Sequence, residues 1–200
     1  LKGQGGDIYI SPKAKATPRA TDHFDLMAKV QKFLASDKKV FLVRGDSGAG
    51  KSTFNRALEI NLWDNYKTNG RIPLFIHLPT IEKPERDLIA KRLKEANFTE
   101  SQILELKLHR EFILICDGYD ESQQTQNLYM SNQLNQPGQW RAQMVISCRT
   151  EYIGADYKDF FQPIDRNNSG GTGRFQKVII SPFTEEQIHD YVEKYVSLKE

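Results

Sequence analysis

Gly45-Asp46-Ser47-Gly48-Ala49-Gly50-Lys51-Ser52 has the spacing GxxxxGK[ST], which is the P-loop pattern. In such a loop successive backbone N–H groups curl around phosphate oxygens, and glycine permits the positive φ angles that the curl requires. We expect Lys51 to place its charge at the β and γ phosphates and Ser52 to give its hydroxyl to Mg²⁺. Thr53 is a second hydroxyl beside it. The alternative is a glycine-rich turn that binds nothing.

An apolar strand and an amphipathic helix flank this loop. Residues 40–43 (VFLV) form a short apolar run, while Phe54, Ala57, Leu58 and Ile60 recur at the spacing of one helix face. The motif requires this order of strand, loop and helix, because the helix directs its N-terminal dipole at the bound phosphates. The sequence therefore favours a nucleotide site over an empty turn.

The composition is that of an ordinary soluble protein. The chain has 200 residues, of which 38% are hydrophobic and 27% charged, enough for one α/β domain and the start of another. Its net charge of +2 gives no electrostatic reason to expect a nucleic-acid partner. Neither a membrane span of about 18 apolar residues nor a signal peptide is found. We therefore expect a cytoplasmic protein with Cys116 and Cys148 as reduced, buried thiols.

Apolar segments alternate with helical patterns along the chain. We expect strands at residues 40–43, 72–78, 112–116, 144–148 and 178–180. We expect helices at residues 21–36, 52–63 and 124–136, two more between 85 and 109, and a last one after Thr184. Capping boxes begin at Thr99 and Thr184, and Pro73 suits an edge strand or a strand entry. Strands separated by helices predict a parallel sheet covered on both faces.

The third strand runs directly into the acidic cluster Asp117-Gly118-Tyr119-Asp120-Glu121. Ligands of open α/β sheets bind at the carboxyl ends of the strands, so Asp117 is placed to hold Mg²⁺ through water. Asp120 and Glu121 can orient or deprotonate an attacking water, which hydrolysis needs in addition to a P-loop. The alternative is a solvated acidic turn.

The fourth strand ends in Arg149. If this strand lies between the P-loop strand and the acidic strand, Arg149 points near the γ-phosphate and can sense it or stabilise transition-state charge. The alternative is a surface arginine paired with Glu151 or another acid. No [NT]KxD base-reading motif occurs, which argues against a Ras-type GTPase and favours ATP.

These segments together resemble the NACHT branch of the STAND class of P-loop NTPases. The matching segments, in family order over most of residues 39–195, are KVFLVRGDSGAGKSTF, IPLFIHLP, FILICDGYDE, VISCRTEY and SPFTEEQIHDYVEKY. The resemblance implies a three-layer αβα sandwich with a five-stranded parallel sheet of order 5-1-4-3-2, and a sensor role for Arg149. It also implies that residues 7–12, including Ile8 and Ile10, lie against adenine.

The resemblance also sets the expected domain organisation. Residues 1–20 are expected to form an extended lead-in, residues 21–181 the nucleotide-binding domain, and residues 182–200 the start of a helical domain. The chain opens without Met and stops within a helical pattern, so we expect it to be part of a longer protein.

The predicted function is a Mg²⁺-dependent nucleoside triphosphatase that binds ATP or ADP, with slow turnover because a switch dwells in each state. The resemblance implies the core of a signalling protein that self-associates through this domain, with effector and sensor domains outside these residues. Two alternatives stay open. One is a scaffold that binds nucleotide without hydrolysing it, and the other is an AAA-type motor that takes an arginine finger from a neighbour.

Overall fold

The computed structural model of the chain describes residues 8–66, 70–122, 124–152, 157–164 and 171–198. They form one seven-stranded sheet with helices packed against it. The strands are β1 (Lys13–Lys15), β2 (Phe24–Asp25), β3 (Val40–Gly45), β4 (Ile72–His77), β5 (Glu111–Asp117), β6 (Arg141–Arg149) and β7 (Phe175–Ile180). The α-helices are α1 (Leu26–Leu34), α2 (Lys51–Asp64), α3 (Leu88–Glu95), α4 (Glu100–His109), α5 (Leu128–Ser131), α6 (Tyr157–Phe161) and α7 (Glu185–Ser197).

Five parallel strands make up most of the sheet, in the order β7-β3-β6-β5-β4. Counted in chain order among themselves, these strands have the expected arrangement 5-1-4-3-2. The strand β6 lies between the P-loop strand and the acidic strand, and its Arg149 is opposite Gly45 of β3. Pro73 lies in β4, which is an edge strand. The carboxyl ends of β3, β6 and β5 therefore meet side by side at one edge of the sheet.

The prediction of only five strands is wrong, because two short antiparallel strands are added, β1 within the predicted lead-in and β2 within the predicted first helix. The strand β1 pairs with β7, and β2 pairs with β1. Residues 1–7 of the predicted lead-in lie outside the described residues. The segment Phe24–Asp25 also delays the first helix, which begins at Leu26 instead of Thr21. The side chain of Asp25 caps it by accepting a hydrogen bond from the backbone N–H of Ala28 at 2.7 Å.

Two hydrophobic cores lie on the two faces of the sheet. Alternate residues of β3 enter different cores, with Leu42 in one and Phe41 in the other. The core that contains Phe41 is covered by α1 and α2, and the core that contains Leu42 packs under α3 and α5. This two-sided burial explains why the parallel strands are continuously apolar in sequence.

The helix predicted over residues 124–136 is wrong, since only Leu128–Ser131 is α-helical. The amide of Asn132 accepts a hydrogen bond from the first backbone N–H of α3 at 2.8 Å. The amide of Asn135 both donates to and accepts from the backbone of Ala142, at 2.7 and 3.1 Å. These asparagine side chains form hydrogen bonds with the backbone of other segments, and such bonds compete with continuation of the helix.

The other helix predictions are confirmed to within a few residues. Both predicted capping boxes are present, at Thr99 before α4 and at Thr184 before α7. Cys116 and Cys148 are buried free thiols, and burial raises the pKa of both, that of Cys148 to about 12. Among the described helices, none is long and apolar enough to cross a lipid bilayer.

Candidate functional site

The loop between β3 and α2 has the backbone conformation that the glycine pattern predicts. Gly48 and Gly50 are left-handed, with φ angles of 74° and 84°. A Cβ added at either position would meet nothing within 4 Å, so the backbone angle and not the available space requires glycine there. The helix α2 begins at Lys51, directly after Gly50, which has no side chain to cap it. The first backbone N–H groups of α2 are thus available for an anion.

The amine of Lys51 lies against the start of the same loop. Its Nζ donates to the carbonyl oxygens of Gly45 at 2.8 Å and Asp46 at 2.9 Å. A Cβ on Gly45 would lie 3.1 Å from the Cβ of Ala49, so glycine there lets the loop close over itself. Ser52 is exposed on the first turn of α2. The lysine charge and the Ser52 hydroxyl therefore lie on one short segment.

A cavity of about 670 Å³ opens beside the loop. This volume falls within the range of about 300–1,000 Å³ that is usual for small-molecule sites. Four segments of the chain form its walls: residues 8–12, 46–53 and 180–183, and the helix α7. The lining residues are Ile8, Tyr9, Ile10, Pro12, Asp46, Ser47, Gly48, Ala49, Gly50, Thr53, Ile180, Ser181, Pro182, Phe183 and Tyr191. The predicted base-contacting residues of the lead-in thus share one cavity with the predicted phosphate loop. Burial raises the pKa of Tyr9 to about 12, so its hydroxyl stays protonated at neutral pH.

The carboxylate of Asp117 at the end of β5 is nearly fully buried, at 4% exposure. Its Oδ1 accepts hydrogen bonds from Nδ2 of Asn55 at 2.7 Å and from Oγ of Ser147 at 2.9 Å. Its Oδ2 lies 3.8 Å from Nδ1 of His77, at the end of the neighbouring strand β4. The two carboxylate oxygens therefore have different surroundings, and the protein binds Oδ1 much more closely.

Asp120 and Glu121 differ in how Arg149 holds them. The Oδ1 of Asp120 accepts the backbone N–H of Arg149 at 2.9 Å, and its Oδ2 lies 2.9 Å from Nε of the same residue. The Oε1 of Glu121 lies farther away, 3.6 Å from Nη2 of Arg149, and its side chain is 52% exposed. Arg149 thus pairs with these two acids and not with Glu151. Of the two acids, Glu121 is the one that faces solvent.

The predicted site residues fall into two groups according to whether they line this cavity. Residues 46–50, Thr53, Ile8 and Ile10 line the cavity. Lying outside its lining are Gly45, Lys51, Ser52, the acidic cluster and Arg149. The helix α2 connects the groups, because it starts at the loop and its Asn55 contacts Asp117.

Asn55, His77 and the hydroxyl of Ser147 contact Asp117, and the sequence alone assigned none of them a role. Asn55 had a usable signal, because an amide stands between Phe54 and Leu58 on the buried side of α2. His77 and Ser147 gave no such signal, since both are ordinary residues near strand ends.

The donor atoms at this edge of the sheet fit a magnesium nucleotide. Mg²⁺ prefers hard oxygen ligands, and Asp117 and Ser52 offer a carboxylate and a hydroxyl. The P-loop supplies backbone N–H groups and Lys51 a positive charge, which are the partners that phosphate oxygens need.

The sequence model of the NACHT domain matches residues 39–199. No curated protein sequence matches the chain. Among solved structures, the Aeropyrum pernix ORC1 protein in complex with DNA is similar, with a TM-score of 0.55 and 16% sequence identity over 86% of this chain and 48% of that chain. At this identity the likeness concerns the fold alone, and this chain spans about half the length of that ORC1 chain.

Proposed function

The chain belongs to the NACHT domain family and is a nucleotide-binding domain of the P-loop NTPase type, and we propose that it binds ATP and ADP with Mg²⁺ and hydrolyses ATP slowly. One observation carries the proposal. The loop at residues 46–50 lines a cavity of about 670 Å³, and the helix that follows the loop contacts the carboxylate of Asp117 through Asn55. The helix α2 thereby links the proposed phosphate-binding loop to the proposed metal-binding carboxylate on β5.

Each group has a proposed role. The backbone N–H groups of the loop and the Nζ of Lys51 bind the phosphates, and Ile8 and Ile10 contact the base. Ser52 and Asp117 hold Mg²⁺, which when bound neutralises the charge on the phosphate oxygens. The apolar walls of the cavity support a flat heterocycle beside the loop.

Glu121 is the proposed general base. Its carboxylate is half exposed, so water can reach it. Asp120 is held at both oxygens by Arg149 and is nearly buried, so its proposed role is to hold Arg149 at the site. The guanidinium of Arg149 is then the group that senses the γ-phosphate.

A scaffold that binds nucleotide without hydrolysis is the second candidate, and one contact favours it. The guanidinium of Arg149 lies 3.6 Å from the carboxylate of Glu121, and this ion pair competes with an attacking water for the same carboxylate. The same contact would also give slow turnover. Measuring phosphate release therefore decides between the two candidates.

A switch that responds to nucleotide is supported by the way α7 is attached. Gln187 donates through Nε2 to the carbonyl of Ser11 at 2.9 Å, and Lys194 donates through Nζ to the carbonyl of Tyr9 at 3.3 Å. Tyr191 of the same helix lines the cavity. We propose that nucleotide exchange shifts α7 through the lead-in, and that self-association follows in a longer protein.

Nucleotide binding is tested by titrating a fluorescent ATP analogue into Lys51→Ala. We expect the affinity to fall by about 10- to 100-fold, because one or two charge-assisted hydrogen bonds of about 1.5–3 kcal/mol are lost. The matched control is Lys94→Ala, which removes an exposed lysine on α3. An unchanged affinity in Lys51→Ala would show that the loop is not the phosphate site.

Hydrolysis is tested by phosphate release from Glu121→Gln, which we expect to bind ATP normally and to release no phosphate above background. If the unaltered protein also releases none, it is a scaffold. The nucleotide that copurifies with the protein identifies the base, and GDP there would contradict the preference for adenine.

A further inference from the structure

Asn55 is a polar residue on the buried side of α2. Its side chain has no solvent exposure, and the apolar residues Phe54 and Leu58 on either side of it are equally buried. Its Nδ2 donates to Oδ1 of Asp117 at 2.7 Å and to Oγ of Ser147 at 3.1 Å. Burying an amide is unfavourable unless hydrogen bonds compensate, so the contacts of Asn55 bear on why it is there.

Every proton in this small network has an assigned acceptor. Ser147 donates its hydroxyl proton to Oδ1 of Asp117 and accepts hydrogen bonds from Asn55 and from the backbone N–H of Gly118 at 3.3 Å. The amide group of Asn55 must point its nitrogen toward these two acceptors, which fixes its orientation. The helix α2 and the strands β5 and β6 thus meet at one carboxylate oxygen.

The carbonyl oxygen of the Asn55 amide differs from its nitrogen in this respect. Among the described residues its Oδ1 has no hydrogen-bond donor, although it is fully buried. A purely structural asparagine would satisfy both ends, and an apolar residue would avoid the buried oxygen altogether. An apolar residue such as leucine would fit the buried side of α2 at this position, but it could not donate a hydrogen bond to Asp117.

We propose that Asn55 is a positioning residue that fixes the carboxylate of Asp117 for Mg²⁺. Asn55 and Ser147 occupy Oδ1 and leave Oδ2 as the oxygen for the metal's hydration shell. Groups that orient a metal-binding residue in this way commonly affect metal affinity by about 10- to 100-fold. The inference rests on the proposed function, because it assigns Asn55 to the metal site of that nucleotide complex.

The experiment measures the Mg²⁺ concentration at which a fluorescent ATP analogue is half-maximally bound, in Asn55→Leu. Leucine keeps the branched shape of asparagine and removes both donors. We expect the midpoint to rise by about tenfold, while the nucleotide affinity at saturating Mg²⁺ stays within about twofold of the unaltered protein. The matched control is Asn61→Leu on the same helix, whose amide bonds to Gln31 away from the site.

Ser147→Ala is the second variant, because it removes another donor to the same carboxylate oxygen. It tests the proposal even if Asn55→Leu unfolds. The Mg²⁺ midpoint of Ser147→Ala should also rise. In the double variant the midpoint should rise by less than the product of the two single-variant fold-changes. A folded Asn55→Leu or Ser147→Ala variant with an unchanged midpoint would overturn the positioning role. Failure of the proposed function looks different, since the unaltered protein would then bind nucleotide without any dependence on Mg²⁺.

Discussion

Gly118 follows Asp117, the predicted metal-binding acid, and precedes the predicted catalytic acids Asp120 and Glu121. The substitution Gly118→Ala should destabilise the protein by about 2–3 kcal/mol. The φ of +78° at Gly118 is left-handed, which costs alanine about 1 kcal/mol relative to glycine. The added Cβ would also lie 3.2 and 3.3 Å from ring atoms of Pro79, closer than ordinary contact. Because Pro79 belongs to the short turn Leu78–Thr80 after β4, relief requires a backbone shift that costs about 1–2 kcal/mol more.

Gly138→Ala is the matched control for this substitution. Gly138 has nearly the same φ of +73°, and a Cβ there would meet nothing within 4 Å. Its substitution should cost only the backbone term of about 1 kcal/mol. Urea unfolding of both variants gives the comparison, provided that the m-value is unchanged. Equal destabilisation of the two variants would refute the claim that Pro79 confines Gly118.

The remaining predictions concern an ion pair and the buried thiols. A double-mutant cycle of Arg149→Met with Asp120→Asn should give a coupling of about 1–2 kcal/mol in unfolding free energy, because Asp120 is nearly buried while Arg149 is 45% exposed. If the effects of the two substitutions on the unfolding free energy were additive, the contact between Arg149 and Asp120 would contribute nothing to stability. Burial raises the pKa of Cys116 and Cys148, so these thiols lose their protons at a lower pH in the unfolded chain than in the folded protein. Above pH 9 the folded protein therefore binds more protons than the unfolded chain. The unfolding free energy should therefore fall by about 1 kcal/mol for each thiol as pH rises from about 9 to 10, and Cys148→Ala should remove about half of the contribution of the two thiols.

Elements with a strong local signal could be predicted from the sequence. The parallel strands are apolar runs because both of their faces are buried, and the capping boxes at Thr99 and Thr184 mark the helix starts that the structure has. Two of the loop glycines, Gly48 and Gly50, have the left-handed angles that the P-loop spacing predicts. The order of the parallel strands came from the family resemblance, because periodicity alone does not specify which strands are neighbours.

The elements that sequence reasoning missed depend on contacts between distant segments. The strand β1 has no apolar run and buries only Ala14, so its pairing with β7 leaves little trace in the sequence. The helix expected near residue 130 is cut short because Asn132 bonds to the start of α3 and Asn135 bonds to Ala142 in β6. Asn55 and Asp117 are separated by 62 positions, and their contact becomes visible only in the folded chain.

The pairing of β1 with β7 means that the minimal folding unit is larger than the family match. The match begins at residue 39, whereas Leu26, Val30 and Phe33 of α1 pack into the same core as Phe41. A polypeptide cut at the start of the match would lose that helix and leave one side of β7 without a partner. The exposed edge of β7 would then be a template for pairing with another chain. The segment that forms one wall of the cavity thus continues into the strand that covers an edge of the parallel sheet.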